Sequence, residues 1–195
     1  MLPQGLELIL ASKSPRRSQL LEMAGIPFRI QTKDVEEIYP EELPALEVAP
    51  YLAQLKASAC QDFLRNDQQI LLTADSVVVL DDIIYGKPRD KAHAQEILRQ
   101  LSGRVHTVVT GICLKSRQRE LVRAAHAQVH FQNLNQKEID YYLNKYQPYD
   151  KAGSYAIQEW IGLCKVRRIE GTYDNIMGLP VSLVYESLTD GGWWH

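Results

Sequence analysis

No run of apolar residues in this chain is long enough to cross a bilayer, which sets aside a helical membrane protein. The first residues pass from Met1 into polar Gln4 and Glu7 with no basic stretch leading into a hydrophobic one, so no secretory signal is expected. Cysteine is scarce. Cys60, Cys113 and Cys164 are odd in number and far apart, which fits neither a disulfide framework nor a zinc spacing; buried free thiols in a reducing cytoplasm are expected. An excess of one charge is also missing: 22 basic against 24 acidic side chains leave a formal net charge of -2. Such a balance offers no overall attraction to nucleic acid or an acidic membrane, so any recognition of phosphate must be local. Neither a Gly-x-x-x-x-Gly-Lys-Ser/Thr loop nor a Gly-x-Gly-x-x-Gly fingerprint occurs, which points away from the common ATPase and dehydrogenase folds.

What is present begins with Leu8-Ile9-Leu10-Ala11, a buried strand by composition, followed by Ser12-Lys13-Ser14 and Pro15. Proline suits the first position of a helix and Ser14 its N-cap. A strand, a hydroxyl-rich turn and a helix N-terminus make a cradle for an anion, to which Lys13, Arg16 and Arg17 add cations. The same residues also suit an ordinary connection with surface arginines. Ile70 to Leu80 is the strongest strand signal, nearly continuous in apolar residues and interrupted by Asp75 and Ser76. An aspartate inside a buried strand needs a partner, a metal or a catalytic task. Accepting backbone hydrogen bonds at a bend is the structural alternative, and the site reading is favoured because an ionised Asp75 can hold Mg²⁺ or take a proton from water. A helix is expected from about Ala49 to Leu64, with Ala49, Leu52, Ala53, Lys56, Cys60 and Phe63 on one stripe. Lys56 either snorkels to solvent or reaches a carboxylate or phosphate.

Ile26 to Ile30 reads as a short strand, and Val35-Glu36-Glu37 as part of a loop through Pro44, with a metal role open to this otherwise solvated acid pair. Ile83 to Tyr85 returns as a hairpin strand. Gly86 and Pro88 then flank Lys87 and can aim its side chain, and Asp90 caps a helix to Leu101. Strands follow over residues 104 to 115 and through Ala125, Ala127, Val129 and Phe131, with His106, His126 and His130 expected on the wetter side and in no clear zinc pattern. Asn135 and Glu138 predict a capping box ahead of a helix that packs Ile139, Tyr142 and Leu143. Gln158 has the donor and acceptor needed to read a base edge. A strand around Leu163 to Ile169, a loop at Tyr173-Asp174-Asn175 and a terminal helix packing Val181, Val184 and Leu188 complete the reading. The Trp193-Trp194-His195 tail suits local packing or a frayed end.

Cations thus recur at strand–helix boundaries, as Arg16, Lys56 and Lys87, while Glu36 and Asp75 are acids available to a metal. Together they suit a triphosphate accompanied by Mg²⁺. The ordered blocks Ala11-Ser12-Lys13-Ser14-Pro15-Arg16-Arg17, Val35-Glu36-Glu37, Ala74-Asp75, Gly86-Lys87-Pro88, Leu101-Ser102-Gly103-Arg104, Asp150-Lys151-Ala152-Gly153, Ile157-Gln158 and Gly178-Leu179-Pro180 span nearly the whole chain. In them the sequence resembles the Maf/septum-formation family of nucleoside triphosphate pyrophosphatases.

That resemblance implies an elongated, mixed-sheet α/β fold of the Maf-like, inosine-triphosphatase-like kind. It would form a single domain over residues 1–195, with room for two lobes around a central substrate cleft. It also implies hydrolysis between the alpha and beta phosphates, a divalent cation (Mg²⁺, with Mn²⁺ as the alternative), a homodimer and a cytoplasmic location. By motif, Asp75 would be the proton acceptor, and Ser12, Glu36, Lys56 and Lys87 match polar active-site positions; Glu36 and Asp75 would hold the metal. Arg16, Ser76 and Gln158 match positions associated with substrate choice. The residues around Gln158 and Tyr173 to Pro180 resemble the dTTP/UTP branch more than the 7-methyl-GTP branch. That branch usually has Thr where Ser76 stands; serine keeps the hydroxyl and loses a methyl. The alternatives are a 7-methyl-GTP or modified-nucleotide pyrophosphatase and a non-catalytic nucleotide-binding regulator, with neither nucleic acid nor membrane as a partner.

Overall fold

A computed structural model describes residues 5–190 and Trp193. The sheet has seven strands in the order β2-β1-β3-β5-β6-β7, with β4 paired to β3. These are β1 (Glu7–Leu10), β2 (Arg29–Ile30), β3 (Gln69–Leu80), β4 (Ile83–Tyr85), β5 (Val105–Lys115), β6 (Glu120–Phe131) and β7 (Val166–Glu170). Strand β1 runs parallel to β2 and β3, whereas β4 and β7 are antiparallel to β3 and β6, so the sheet is mixed as expected. The helices are α1 (Pro15–Met23), α2 (Val48–Ala59), α3 (Lys91–Leu101), α4 (Gln136–Tyr146), α5 (Trp160–Lys165), α6 (Tyr173–Met177) and α7 (Val181–Asp190). Among the described residues none is long and apolar enough to cross a membrane. Two compact units divide the chain: one within Met1–Asp75, Thr110–Ala125 and Gly178–His195, the other within Ser76–Val109 and His126–Met177. Strand β3 passes from one to the other between Asp75 and Ser76.

In the first unit the apolar runs behave as central strands should. Leu8, Ile9 and Leu10 are buried, as is each residue of β3 from Gln69 to Asp75. The α2 stripe meets them: Ile9, Ala53, Ala57, Cys60, Phe63, Leu71 and Cys113 share one core cluster. Gly111 on β5 makes this approach possible, because a Cβ there would lie 2.3 Å from the Pro50 nitrogen. Thr73, fully buried, donates its hydroxyl to the Ala53 carbonyl at 2.6 Å. Two expectations shorten. Strand β2 keeps only Arg29–Ile30 of the predicted five residues, since Pro27 has no N–H to give to a ladder. The helix predicted to Leu64 ends at Ala59 and continues as a 3-10 turn, Gln61–Phe63, which still buries Cys60 and Phe63.

In the second unit, α3 buries Ala94, Ile97, Leu98 and Leu101, and Asp90 accepts the His93 N–H at 2.8 Å as the predicted cap. The Asn135–Glu138 capping box is present in both directions, and α4 buries Ile139, Tyr142 and Leu143. The predicted strand from Leu163 begins only at Val166, after the short helix α5, and Tyr173–Met177 is the helix α6 rather than loop. Helices of five or six residues are too short for their period to show in sequence.

Two placements correct the sequence reading. His106 lies not on a wet face but 1 % exposed, 2.8 Å from the Tyr155 hydroxyl and edge-on to Phe131. Strand β5 sits between β3 and β6 and both of its faces are covered, so alternation along it marks no solvent side. Cys164 is exposed, unlike Cys60 and Cys113. At the C-terminus α7 buries Val184 and Leu188, with Val181 half-buried, and Trp193 is buried beneath the Arg119 guanidinium, 4.8 Å from the ring centroid; Trp194 and His195 lie outside the described residues.

Candidate active site

Strand β3 carries Asp75 into the first unit's interior, where it is only 8 % exposed. The charge is answered from α2: the Lys56 ammonium hydrogen-bonds Asp75 Oδ1 and stands 2.7 Å from Glu37 Oε1. Lys56 is therefore the one polar member of a packed stripe because its amine ends between two carboxylates. Its side chain is 16 % exposed, well buried for a lysine. Glu37 comes from the irregular stretch between β2 and the 3-10 turn that precedes α2, and both it and Glu36 beside it are exposed.

The turn after β1 supplies the other side. Ser14 occupies the N-cap position of α1, with Pro15 in the first turn, yet its side chain makes no capping bond. Ser12 takes that part locally, its hydroxyl accepting the Ser14 N–H at 3.2 Å. The same hydroxyl accepts from Arg17 Nη1 at 3.2 Å. Arg17 Nη1 also donates to the Ala74 carbonyl at 2.8 Å, and its Nε to the Gly178 carbonyl at 2.8 Å. One guanidinium thus joins the first turn, the residue before Asp75 and the Gly178-Leu179-Pro180 segment. Burial pushes Arg17 below the usual arginine range; Asp75 opposes that shift, Arg16 adds to it, and Glu37 opposes it. Ser12, Arg16, Arg17, Glu37, Lys56 and Asp75 therefore form one electrostatic neighbourhood.

Ser76, Lys87 and Gln158 belong to the second unit. Ser76 is the single residue of β3 that is not buried. Lys87 is exposed beside the buried Pro88, and its loop is tied down where the Gly86 carbonyl accepts the Gly153 N–H at 3.2 Å. Gly153 has φ +68, and a Cβ there would meet Val78 Cγ2 at 2.7 Å, so glycine is required on both counts. Gln158 is half-buried, and its Oε1 is shielded from solvent with no hydrogen-bond partner among the described residues.

The sequence offered Arg17 only as one of three cations at the first turn and Glu37 only as half of an acid pair, with no site role of its own for either. A signal for Arg17 existed: it precedes both buried leucines, Leu20 and Leu21, by three and four residues, whereas Arg16 stands at helical spacing from Leu20 alone. Glu37 lies where no period operates.

Among the described residues no group of three His, Cys, Asp or Glu gathers as a metal centre, which does not suit a resident zinc. The carboxylates of Asp75 and Glu37, brought to one ammonium, do suit a hard cation that takes one or two protein oxygens and completes its shell with phosphate and water.

A family model described as Maf-like protein matches residues 7–191. A dTTP/UTP pyrophosphatase of Porphyromonas gingivalis is 46 % identical over 190 residues, covering 95 % of this chain and 94 % of that protein. One from Phocaeicola vulgatus is 45 % identical over 183 residues, 93 % of this chain and 94 % of its own length. Among solved structures, the Staphylococcus aureus Ham1 protein is similar at a TM-score of 0.48 and 16 % identity, over 64 % of this chain and 71 % of that one.

Proposed function

This chain belongs to the Maf-like protein family, and from that membership we propose that it is a nucleoside triphosphate pyrophosphatase converting dTTP and UTP to dTMP or UMP and pyrophosphate. The relatives' names support the substrate, since both are called dTTP/UTP pyrophosphatase and align over almost the whole chain. The observation that carries the chemistry is the buried Asp75–Lys56 pair with Glu37 on the same ammonium. An acid taken into a sheet and held by a lysine from a packed helix is costly as mere structure and useful as a fixed proton acceptor.

Asp75 orients and deprotonates the attacking water, its side chain held by Lys56. Arg16, Lys56 and Lys87 stabilise charge on the departing pyrophosphate, and Ser12 lines the phosphate site at the turn before α1. Glu36 and Asp75 would hold a divalent cation, Mg²⁺ or Mn²⁺, with Glu37 as a further donor; when bound, that ion neutralises phosphate oxygens. Arg16, Ser76 and Gln158 select the base. An amide pairs with the carbonyl and adjacent N–H shared by uracil and thymine, and Ser76 keeps a hydroxyl while contributing one methyl less to base packing. The proposal extends to a cytoplasmic homodimer, on the strength of the sequence resemblance.

Pyrophosphate release from dTTP, UTP, CTP and 7-methyl-GTP under one Mg²⁺ concentration tests it. Faster turnover of dTTP and UTP is expected, with Asp75→Asn slowing both by about a thousandfold. Preference for 7-methyl-GTP overturns the substrate, and near wild-type turnover by Asp75→Asn overturns the base.

A further inference from the structure

The amide of Gln158 is not gripped at its oxygen by any described residue. Where it points is set by its backbone, which is held through the main chain of Ala156 on one side and through the side chain of Glu159 on the other. On the N-terminal side, Ala156 donates its N–H to the Tyr142 hydroxyl at 3.0 Å. On the C-terminal side, the same hydroxyl donates to Glu159 Oε2. Tyr142 stands on α4, fully buried, so a single phenol oxygen bridges the residues two before and one after Gln158. The Glu159 carboxylate is steadied in turn by Lys151, whose Nζ lies 3.6 Å from Oε1.

The segment closes on itself as well. Glu159 N–H returns to the Ala156 carbonyl at 3.1 Å, and the Glu159 carbonyl accepts the Leu163 N–H at 3.1 Å as α5 begins. Gly162 completes the seat: a Cβ there would come within 1.8 Å of the Ile157 carbonyl oxygen, which no side chain permits. Ordinary core packing accounts for the ring of Tyr142. It does not account for a hydroxyl that satisfies one flank of Gln158 as acceptor and the other as donor.

We infer that Tyr142 and Glu159 are positioning residues for base selection, holding the Ala156–Glu159 backbone so that the Gln158 amide meets the pyrimidine edge in one orientation. The inference rests on the reading of Gln158 as a base-selecting residue. Neither Tyr142 nor Glu159 touches the nucleotide; both act through Gln158.

The test compares kcat/KM for dTTP and CTP in the wild type, Tyr142→Phe, Glu159→Gln, Glu159→Ala, Gln158→Ala and the Tyr142→Phe/Gln158→Ala double variant. Phenylalanine keeps the buried ring and removes only the bridging oxygen. Tyr142→Phe and Glu159→Ala are expected to lower the dTTP-to-CTP ratio by about tenfold, through a higher KM for dTTP. Glu159→Gln, which still accepts from the phenol, should retain most of the ratio. In the double variant the ratio should match that of Gln158→Ala alone, because the clamp acts only through that side chain. If Tyr142→Phe and Glu159→Ala slow both nucleotides equally, the role is structural and the inference is overturned. If Gln158→Ala abolishes the preference while Tyr142→Phe and Glu159→Ala leave it intact, the clamp alone fails. If Gln158→Ala leaves the preference intact, the underlying reading of Gln158 fails, and the inference with it.

Discussion

Arg17 reaches from helix α1 to the main chain of strand β3, where its Nη1 donates to the carbonyl of Ala74 at 2.8 Å. That carbonyl immediately precedes Asp75, so the arginine sets the backbone from which the proposed proton acceptor projects. Its other bonds, to Ser12 Oγ and the Gly178 carbonyl, use the planar fork of the guanidinium in a way an ammonium cannot copy.

Arg17→Lys is accordingly not conservative. Keeping the charge but losing the fork should lower kcat for dTTP by about a hundredfold, since small misplacements of a catalytic group cost that much. KM should change little. A steady-state comparison of Arg17→Lys with Arg16→Lys checks this, and the larger kcat loss is expected at Arg17.

Lys56 stands between two carboxylates, so removing it takes from the buried Asp75 the ammonium that hydrogen-bonds it. Lys56→Met should lower stability by about 3–5 kcal/mol, the usual result of breaking a buried pair from one side. Adding Asp75→Asn should restore much of that stability and none of the activity. Denaturant melts and pyrophosphate release on the two variants separate the effects.

His106 gives the fold a pH dependence. Burial, with a smaller contribution from His130, pushes its imidazole down to about 3 from an ordinary 6.5. The native state therefore holds it neutral where the unfolded chain would protonate it. The associated stability is complete above pH 6.5 and is lost as pH falls from there toward 3, by about 1.4 kcal/mol per unit. His106→Phe should flatten this slope in urea melts recorded from pH 7 to 4, although it leaves Tyr155 without its partner and is less stable at neutral pH.

The thiols should divide by burial. Cys164 is exposed, whereas burial raises Cys60 and pushes Cys113 up to about 12. A thiol reagent at pH 8 should modify one cysteine of the native protein quickly and all three after denaturation. Cys164→Ser should abolish the fast phase.

Local regularity explains which parts of this molecule could be read from the chain. The β1–turn–α1 unit, the long apolar β3, the Asp90 cap, the Asn135–Glu138 capping box and the inward faces of α3 and α4 all follow from periodicity and end chemistry acting over a few residues. So does the unease of Asp75 and Lys56, each a charge in an apolar context. Short pieces escaped: α5 and α6 have no period to reveal them, and the strand expected at Ile26 to Ile30 keeps only Arg29–Ile30.

Partner choice was decided elsewhere. Which cation meets Asp75, which arginine turns inward, whether His106 faces water and what grips the flanks of Gln158 all depend on residues from 14 to 57 positions apart. Burial makes those choices, because a charge or donor removed from water must find its counterpart in whatever the fold brings near, and sequence order does not record that distance.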